Sequence, residues 1–434
     1  MHHIVVPLKP RRARTTMETK LSLLSLALML TACTESPGSM GEPGPAGAMG
    51  MMGPAGPAAP SEFISVTSTG AVGDCKTDNT AAIQTAIANA VKQGGGTVFV
   101  PPGCYLVNAV PHGISMESDV SLRLAPGATI QTIPNASPSY SLITVWNKSN
   151  VTISGGTLIG DRTKHMGSGG EWGFGVHIPG SSHVTVENVI AREFWGDGFY
   201  VGPLAPNGAS KNITLRGCVA DGNRRQGLSM TGVSGALVDG CTFSNTAGAP
   251  PEAGIDLEPN ADGIVENVLI TNSHFYNNGQ GLQLFGGAAP VQRNQAIGNV
   301  MSGNKNGGLN VLSADNNLFA NNMIQRSGTN GVQFYKSSHN SFTGNYVSEN
   351  STINNASSNV VIGTGSSYNN IQGNTCRMGN GTNRPAFGIR IYSPPAGPNC
   401  VGNLVTGNDL YQSGVTASLG DPLSEAIVLG GNRL

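Results

Sequence analysis

The chain has 434 residues, a formal net charge of −1, 11 % charged residues and 61 glycines. Charge so close to balanced creates no field that would draw the protein onto nucleic acid or an anionic membrane surface. So much glycine with so little charge excludes an ordinary helical bundle and fits a turn-rich all-β chain, whose solenoid forms run well past average domain length as one unit.

Residues 1–32 read as an export signal. Lys20 precedes an apolar run over 21–30, and Thr31 and Ala32 lead into Cys33. A short basic region, a short apolar core and small residues before a cleavage point make a secretory signal. The run is too short to span a bilayer as a helix. Leu30-Thr31-Ala32-Cys33 resembles the bacterial lipobox, which implies that Cys33 is lipidated and becomes the mature N-terminus. The expected location is therefore outside the cytoplasm, lipid-anchored to a bacterial membrane or cell surface. Met17 stands where such a signal normally starts.

Residues 33–60 form a linker, with glycine at every third position at Gly41, Gly44, Gly47, Gly50, Gly53 and Gly56. Collagen-like G-X-Y triplets pack three chains around an axis where only glycine fits. A homotrimer is one expectation, provided a trimeric head holds so short a run together. A spacer lifting the next domain off the membrane is the other.

From 61 to 434 the pattern predicts one right-handed parallel β-helix with an N-terminal capping helix. Asp78-Asn79-Thr80 supplies an N-cap signal; Ile83, Ala86, Ile87, Ala90 and Val91 share a helical face, and Gly94-Gly95-Gly96 ends it. A solenoid needs such a cover because its first coil exposes an unpaired edge and an open core.

The solenoid itself is read from an internal repeat. One unit starts at Asn150, Asn212, Asn267, Asn294, Asn340 and Asn369, at spacings of roughly 22 to 33 residues between copies once the degenerate ones are included. A second strand alternates with it and begins with glycine, as in Gly175-Val-His-Ile, Gly198-Phe-Tyr-Val, Gly227-Leu-Ser-Met, Gly254-Ile-Asp-Leu and Gly281-Leu-Gln-Leu. Period-2 alternation marks strands with one buried face. The repeated asparagines are expected to form internal ladders that satisfy backbone groups at the turns. Cys75, Cys104, Cys218, Cys241, Cys376 and Cys400 are compatible with three disulfides. Cys218 and Cys241 hold equivalent positions in neighbouring coils, either bridged or as a free buried stack.

The segment from Gly70-Ala-Val-Gly-Asp-Cys through Gly94-Gly-Gly-Thr-Val-Phe-Val-Pro-Pro-Gly-Cys-Tyr resembles the opening of the pectate-lyase-like superfamily. That group includes rhamnogalacturonase-like, epimerase-like and tailspike proteins. The resemblance implies the β-helix fold and an action on polysaccharide. The chain lacks the Asn-Thr-Asp, Asp-Asp and Gly-His-Gly set of polygalacturonases. It also lacks the Asp-Pro-His element of alginate epimerases, with Gly198-Phe-Tyr-Val-Gly at the corresponding strand.

In the glycine-led strand the middle variable residue points outward. This predicts an outward ladder of His177, Tyr200, Ser229, Asp256, Gln283, Asn310, Gln333 and Arg390 on a flat face suited to a long glycan. Insertions at 161–174, 202–211 and 245–253 wall its first half. Asp256 and Glu258 lie at i and i+2 on one face, which predicts Cα atoms about 6.5–7 Å apart. Carboxylates about 6.5–9.5 Å apart suit inverting glycoside hydrolysis. Arg224, Arg225 and Gln226 precede the Ser229 strand and are read, with Gln283, as substrate-binding; Asp197 leads into Tyr200. A second chemistry, β-elimination from a uronate, takes Tyr200, His177 or an arginine as base, with Ca²⁺ bound by Asp256 and Glu258. The expected function is a surface-anchored hydrolase or lyase acting on an acidic glycan. A non-catalytic adhesin and a uronate epimerase are the alternatives. No nucleotide or zinc signature is present.

Overall fold

The computed structural model describes residues 63–205, 208–261, 263–393, 397–420 and 426–434. The stretch read as an export signal, Cys33 and the G-X-Y run lie outside the described residues.

Alternating inward apolar residues cannot be buried by one coil alone, so coils stack. Each coil gives up to three short strands, and the strands pile into three parallel sheets of 15, 12 and 12 strands. The result is the expected right-handed parallel β-helix. One inward row shows how the core is made: Ile178, Val201, Met230, Leu257, Leu284, Val311, Phe334, Ile362 and Ile391 are register partners from coil to coil. Every one is buried, and burial of each such side chain stabilises by about 1.5–3 kcal/mol.

The helix Thr80–Lys92 covers the first coils with Ile83, Ala86, Ile87 and Ala90. Val91, read as part of that face, is 44 % exposed instead. The N-terminal cap also differs from expectation. Asn79 makes no side-chain cap bond; its carboxamide accepts from the Val72 N–H, and Asp78 accepts from the Thr80 N–H at 2.9 Å. Gly95 closes the helix with φ +116°, where a Cβ would lie 2.6 Å from the Asp119 carbonyl oxygen.

Cys75 and Cys104 form a disulfide between the strands Asp74–Asp78 and Gly103–Val107. It is the one disulfide among the described residues, not the first of three. Cys218 and Cys241 remain buried thiols, each within reach of a backbone carbonyl, Val186 at 3.3 Å and Leu215 at 3.6 Å.

The asparagines divide into two classes that the repeat had merged. Asn294, Asn317, Asn340, Asn369 and Asn403 form a buried ladder, each side chain bonding the next. Asn150, Asn212 and Asn267 are not members. Leu269 pairs with Gln295, so Val268, not Asn267, is the register partner of Asn294. These three occupy the left-handed corner one residue earlier, at φ 54–58°. Arg293, Asn316, His339 and Tyr368 hold that corner in later coils. Asparagine tolerates the left-handed region better than most residues, so the same letter serves two different needs.

Candidate functional site

The outward ladder forms in the expected register on the third sheet. Thr144, His177, Tyr200, Ser229, Asp256, Gln283, Asn310 and Gln333 are successive partners, and Val361 stands between Gln333 and Arg390. The middle of the ladder is buried and not part of an open flat face. Asp256 is 1 % exposed, Ser229 2 % and Gln283 8 %. Two insertions fold over this stretch. Arg162 donates to the carbonyls of Gly222 and Ala247, pinning the 161–171 loop to its neighbours. Glu171, at the end of that loop, reaches the Arg225 Nε at 3.8 Å.

Beneath these loops lies a buried charged cluster. Asp197 is fully buried and accepts from Ser229 Oγ at 2.8 Å and from Arg225 Nη1 at 3.1 Å. Burial raises its pKa to about 6, opposed by the Arg225 charge and these hydrogen bonds. Its second carboxylate oxygen and the Arg225 Nε have no hydrogen-bond partner. Asp256 takes Gln226 Nε2 at 2.9 Å on one oxygen and Gln283 Nε2 at 3.2 Å on the other. Burial first, and the neighbouring Glu258 carboxyl second, push its pKa well above the carboxylate range.

The geometry departs from expectation at three points. The Glu258 carboxyl lies beside Asp256 and adds to the rise of its pKa. The pair does not fit Ca²⁺. That ion takes about six to eight oxygens, whereas both Asp256 oxygens are engaged by amides. Among the described residues, no group of three or more His, Cys, Asp or Glu side chains is placed to hold a metal. Gln226 is fully buried and braces the Ala253 N–H as well as Asp256, so it positions the cluster and does not face substrate. Arg224 turns away from Asp256. Its guanidinium lies 3.9 Å from the Trp195 ring centroid and donates to the Gly170 carbonyl at 2.9 Å.

One and two rungs before Ser229 the site becomes aromatic. Tyr200 and His177 meet edge to face, 5.1 Å between centroids, with Phe174 against both at 4.5 and 4.9 Å. Trp146, 41 % exposed, lies 5.9 Å from His177, and His112 lies 5.3 Å from Trp146. Burial first and the His112 charge second lower the His177 pKa to about 4. Burial raises that of Tyr200, whose hydroxyl is within 2.8 Å of Thr231 Oγ1. Both are therefore neutral at pH 7.

Sequence reasoning missed Trp146, His112, Phe174 and Glu171. It also missed a buried brace under the loop, in which Tyr140 and His165 bond Asp161 at 2.5 and 2.9 Å and His165 stacks on Trp195. Only Asp161 and His165, four apart, carried a local signal; the rest meet across insertions with no periodicity.

The structure's repeat is mirrored in known proteins. The model of the family described as right handed beta helix region matches residues 103–265, 141–323 and 253–427. The uncharacterized protein YclG of Bacillus subtilis is 34 % identical over 248 residues, covering 50 % of this chain and 42 % of that protein. Mannuronan C5-epimerase AlgE2 of Azotobacter vinelandii is 30 % identical over 245 residues, covering 52 % of this chain and 23 % of the epimerase. The chain thus spans less than half the length of these relatives. Among solved structures, the A-module of mannuronan C-5 epimerase AlgE4 from Azotobacter vinelandii superposes with a TM-score of 0.68 at 22 % identity, over 85 % of this chain and 100 % of that one. At that identity the likeness speaks for the fold. With its repeat, its register and a family match running through nearly all of the solenoid, the chain belongs to the right-handed β-helix family.

Proposed function

We propose that the protein is a carbohydrate-active enzyme that handles a proton at C5 of a uronate sugar, the step shared by polysaccharide lyases and epimerases. The observation that carries this reading is the neutral His177–Tyr200 pair on adjacent rungs. Proton removal from C5 needs an acceptor, and completing either reaction needs a donor. His177, unprotonated at neutral pH, has a lone pair to accept with; Tyr200 keeps a proton to give. A bound uronate carboxylate beside His177 raises its pKa and makes it the stronger base. Arg225, ion-paired with Asp197 at 3.1 Å, keeps a fixed positive charge in the site that favours negative charge developing on the substrate at C5. Sequence similarity to mannuronan C5-epimerases supports the substrate class.

The test is mannuronan in D₂O, followed by C5 deuteration, ultraviolet absorbance of unsaturated uronates and new reducing ends. Deuteration or absorbance, lost about 100-fold or more in Tyr200→Phe, is the expected result. Reducing ends without either signal mean hydrolysis. No reaction but retained binding means an adhesin.

The same reading places the enzyme outside the cytoplasm on a lipid carried by Cys33, with 33–60 as a spacer. Palmitate labelling that persists in Cys33→Ser overturns that assignment. Mass by light scattering, with and without residues 33–60, tests whether the triplets assemble a homotrimer.

A further inference from the structure

The third sheet continues beyond the buried cluster, and its outward residues there change character. One row runs Gln283, Asn310, Gln333, Val361 and Arg390. The row beside it, two residues further along each strand, runs Phe285, Leu312, Tyr335, Gly363 and Tyr392. No carboxylate stands in either row. Tyr335 and Tyr392 are 37 % and 40 % exposed. Each carries a cation at its ring: Lys336 Nζ lies 5.4 Å from the Tyr335 centroid, and the Arg390 guanidinium lies 4.8 Å from that of Tyr392. Arg390 also lies 5.1 Å from the Phe387 ring. Neither cation has an ion-pair partner among the described residues.

We propose that this C-terminal track, Tyr335 with Lys336 and Tyr392 with Arg390, is a binding surface for the far end of an extended anionic glycan whose reacting sugar lies at His177 and Tyr200. The inference rests on the uronate reading for the identity of the sugar, but binding tests it independently of turnover. Three features agree. The track is continuous in register with the site, since Asp256 pairs with Gln283 and Gln283 with Asn310. Exposed aromatic faces stack on the apolar faces of pyranose rings while their edges stay wet, as amphipathic aromatics do at interfaces. Cations without an ion-pair partner complement a uronate chain, and that complementarity selects against a neutral polymer. Distance also fits. From the Thr144 rung to the Arg390 rung are nine steps of ~4.8 Å, roughly 43 Å in all, enough for about eight or nine pyranose units. The protein would therefore bind polymer more tightly than short oligomers.

The experiment compares the full chain with two double variants, Tyr335→Ala/Tyr392→Ala and Lys336→Gln/Arg390→Gln. Migration through gels containing mannuronan or neutral dextran reads binding; turnover of mannuronan polymer and of its tetramer reads KM and kcat. Expected is retardation of wild type by mannuronan only, weakened about tenfold in each double variant, with KM for polymer raised about tenfold. Turnover of the tetramer and kcat stay unchanged, which also shows that the variants are folded. The charge variant's deficit should shrink as salt is raised, because exposed charges are screened. Retardation unchanged within about twofold in both variants, equal loss on the tetramer, or retardation by dextran alike overturns the track. Should wild type bind mannuronan through these residues without any turnover, the track stands and the C5 reading falls.

Discussion

Gln226 donates to one carboxylate oxygen of Asp256 from the preceding coil at 2.9 Å, and Gln283 donates to the other from the following coil at 3.2 Å. Burial first, and the Glu258 carboxyl beside it second, push the Asp256 pKa above the ordinary carboxylate range. Glu258→Gln removes the second cause of the Asp256 shift and leaves the first, burial. The Asp256 carboxyl, followed by ¹³C NMR, should then titrate at lower pH than in wild type yet still above an ordinary aspartate. An identical titration in the variant means that Glu258 does not act on Asp256 in solution.

Stability against pH should separate two buried groups of opposite sign. Asp197 has its folded pKa raised from 3.8 to about 6. Its contribution is therefore complete below the unfolded value and is lost as pH rises from about 4 to about 6. His177 is lowered from 6.5 to about 4. Its contribution is complete above the unfolded value and is lost as pH falls from about 6.5 to about 4. The two slopes oppose each other across one window. Relative to wild type, Asp197→Asn should make Tm climb more steeply with pH between 4 and 6, and His177→Gln should make it fall. Parallel Tm profiles in all three proteins would contradict both assignments.

The adjacent arginines should behave differently. Arg225→Gln strands the fully buried Asp197 carboxylate, a loss of about 3–5 kcal/mol by denaturant unfolding at pH 7. Arg224→Ala removes a cation–π contact with Trp195 and the bonds to the Gly170 and Trp195 carbonyls, about 1–2 kcal/mol, with turnover retained. Equal losses would mean that the pair acts as one unit.

The two classes of asparagine are separable by substitution. Asn322 accepts from the N–H and the side chain of Asn299 and donates to Ala296 and Asn345. Asn322→Ala leaves buried polar groups without partners and should cost about 2–4 kcal/mol. Asn267→Gly, at φ 56°, keeps a residue that accepts the left-handed corner and should cost well under about 1 kcal/mol. Similar unfolding free energies for both variants would refute the division.

Local pattern was enough to read the solenoid, its cap, its outward ladder and the positions of Asp256 and Tyr200 on it. Strand alternation has a period of two and coils repeat in register, so a residue's face follows from local pattern alone. The same logic failed where it leaned on letters and not register, as when Asn267 was equated with Asn294. Tertiary structure alone decided what the ladder faces. Whether Asp256 meets water or Glu258, whether Arg224 points to a carboxylate or to Trp195, and whether Trp146 reaches His177 depend on loops whose paths have no period. Those loops set the local dielectric, and with it the protonation states on which the chemistry turns.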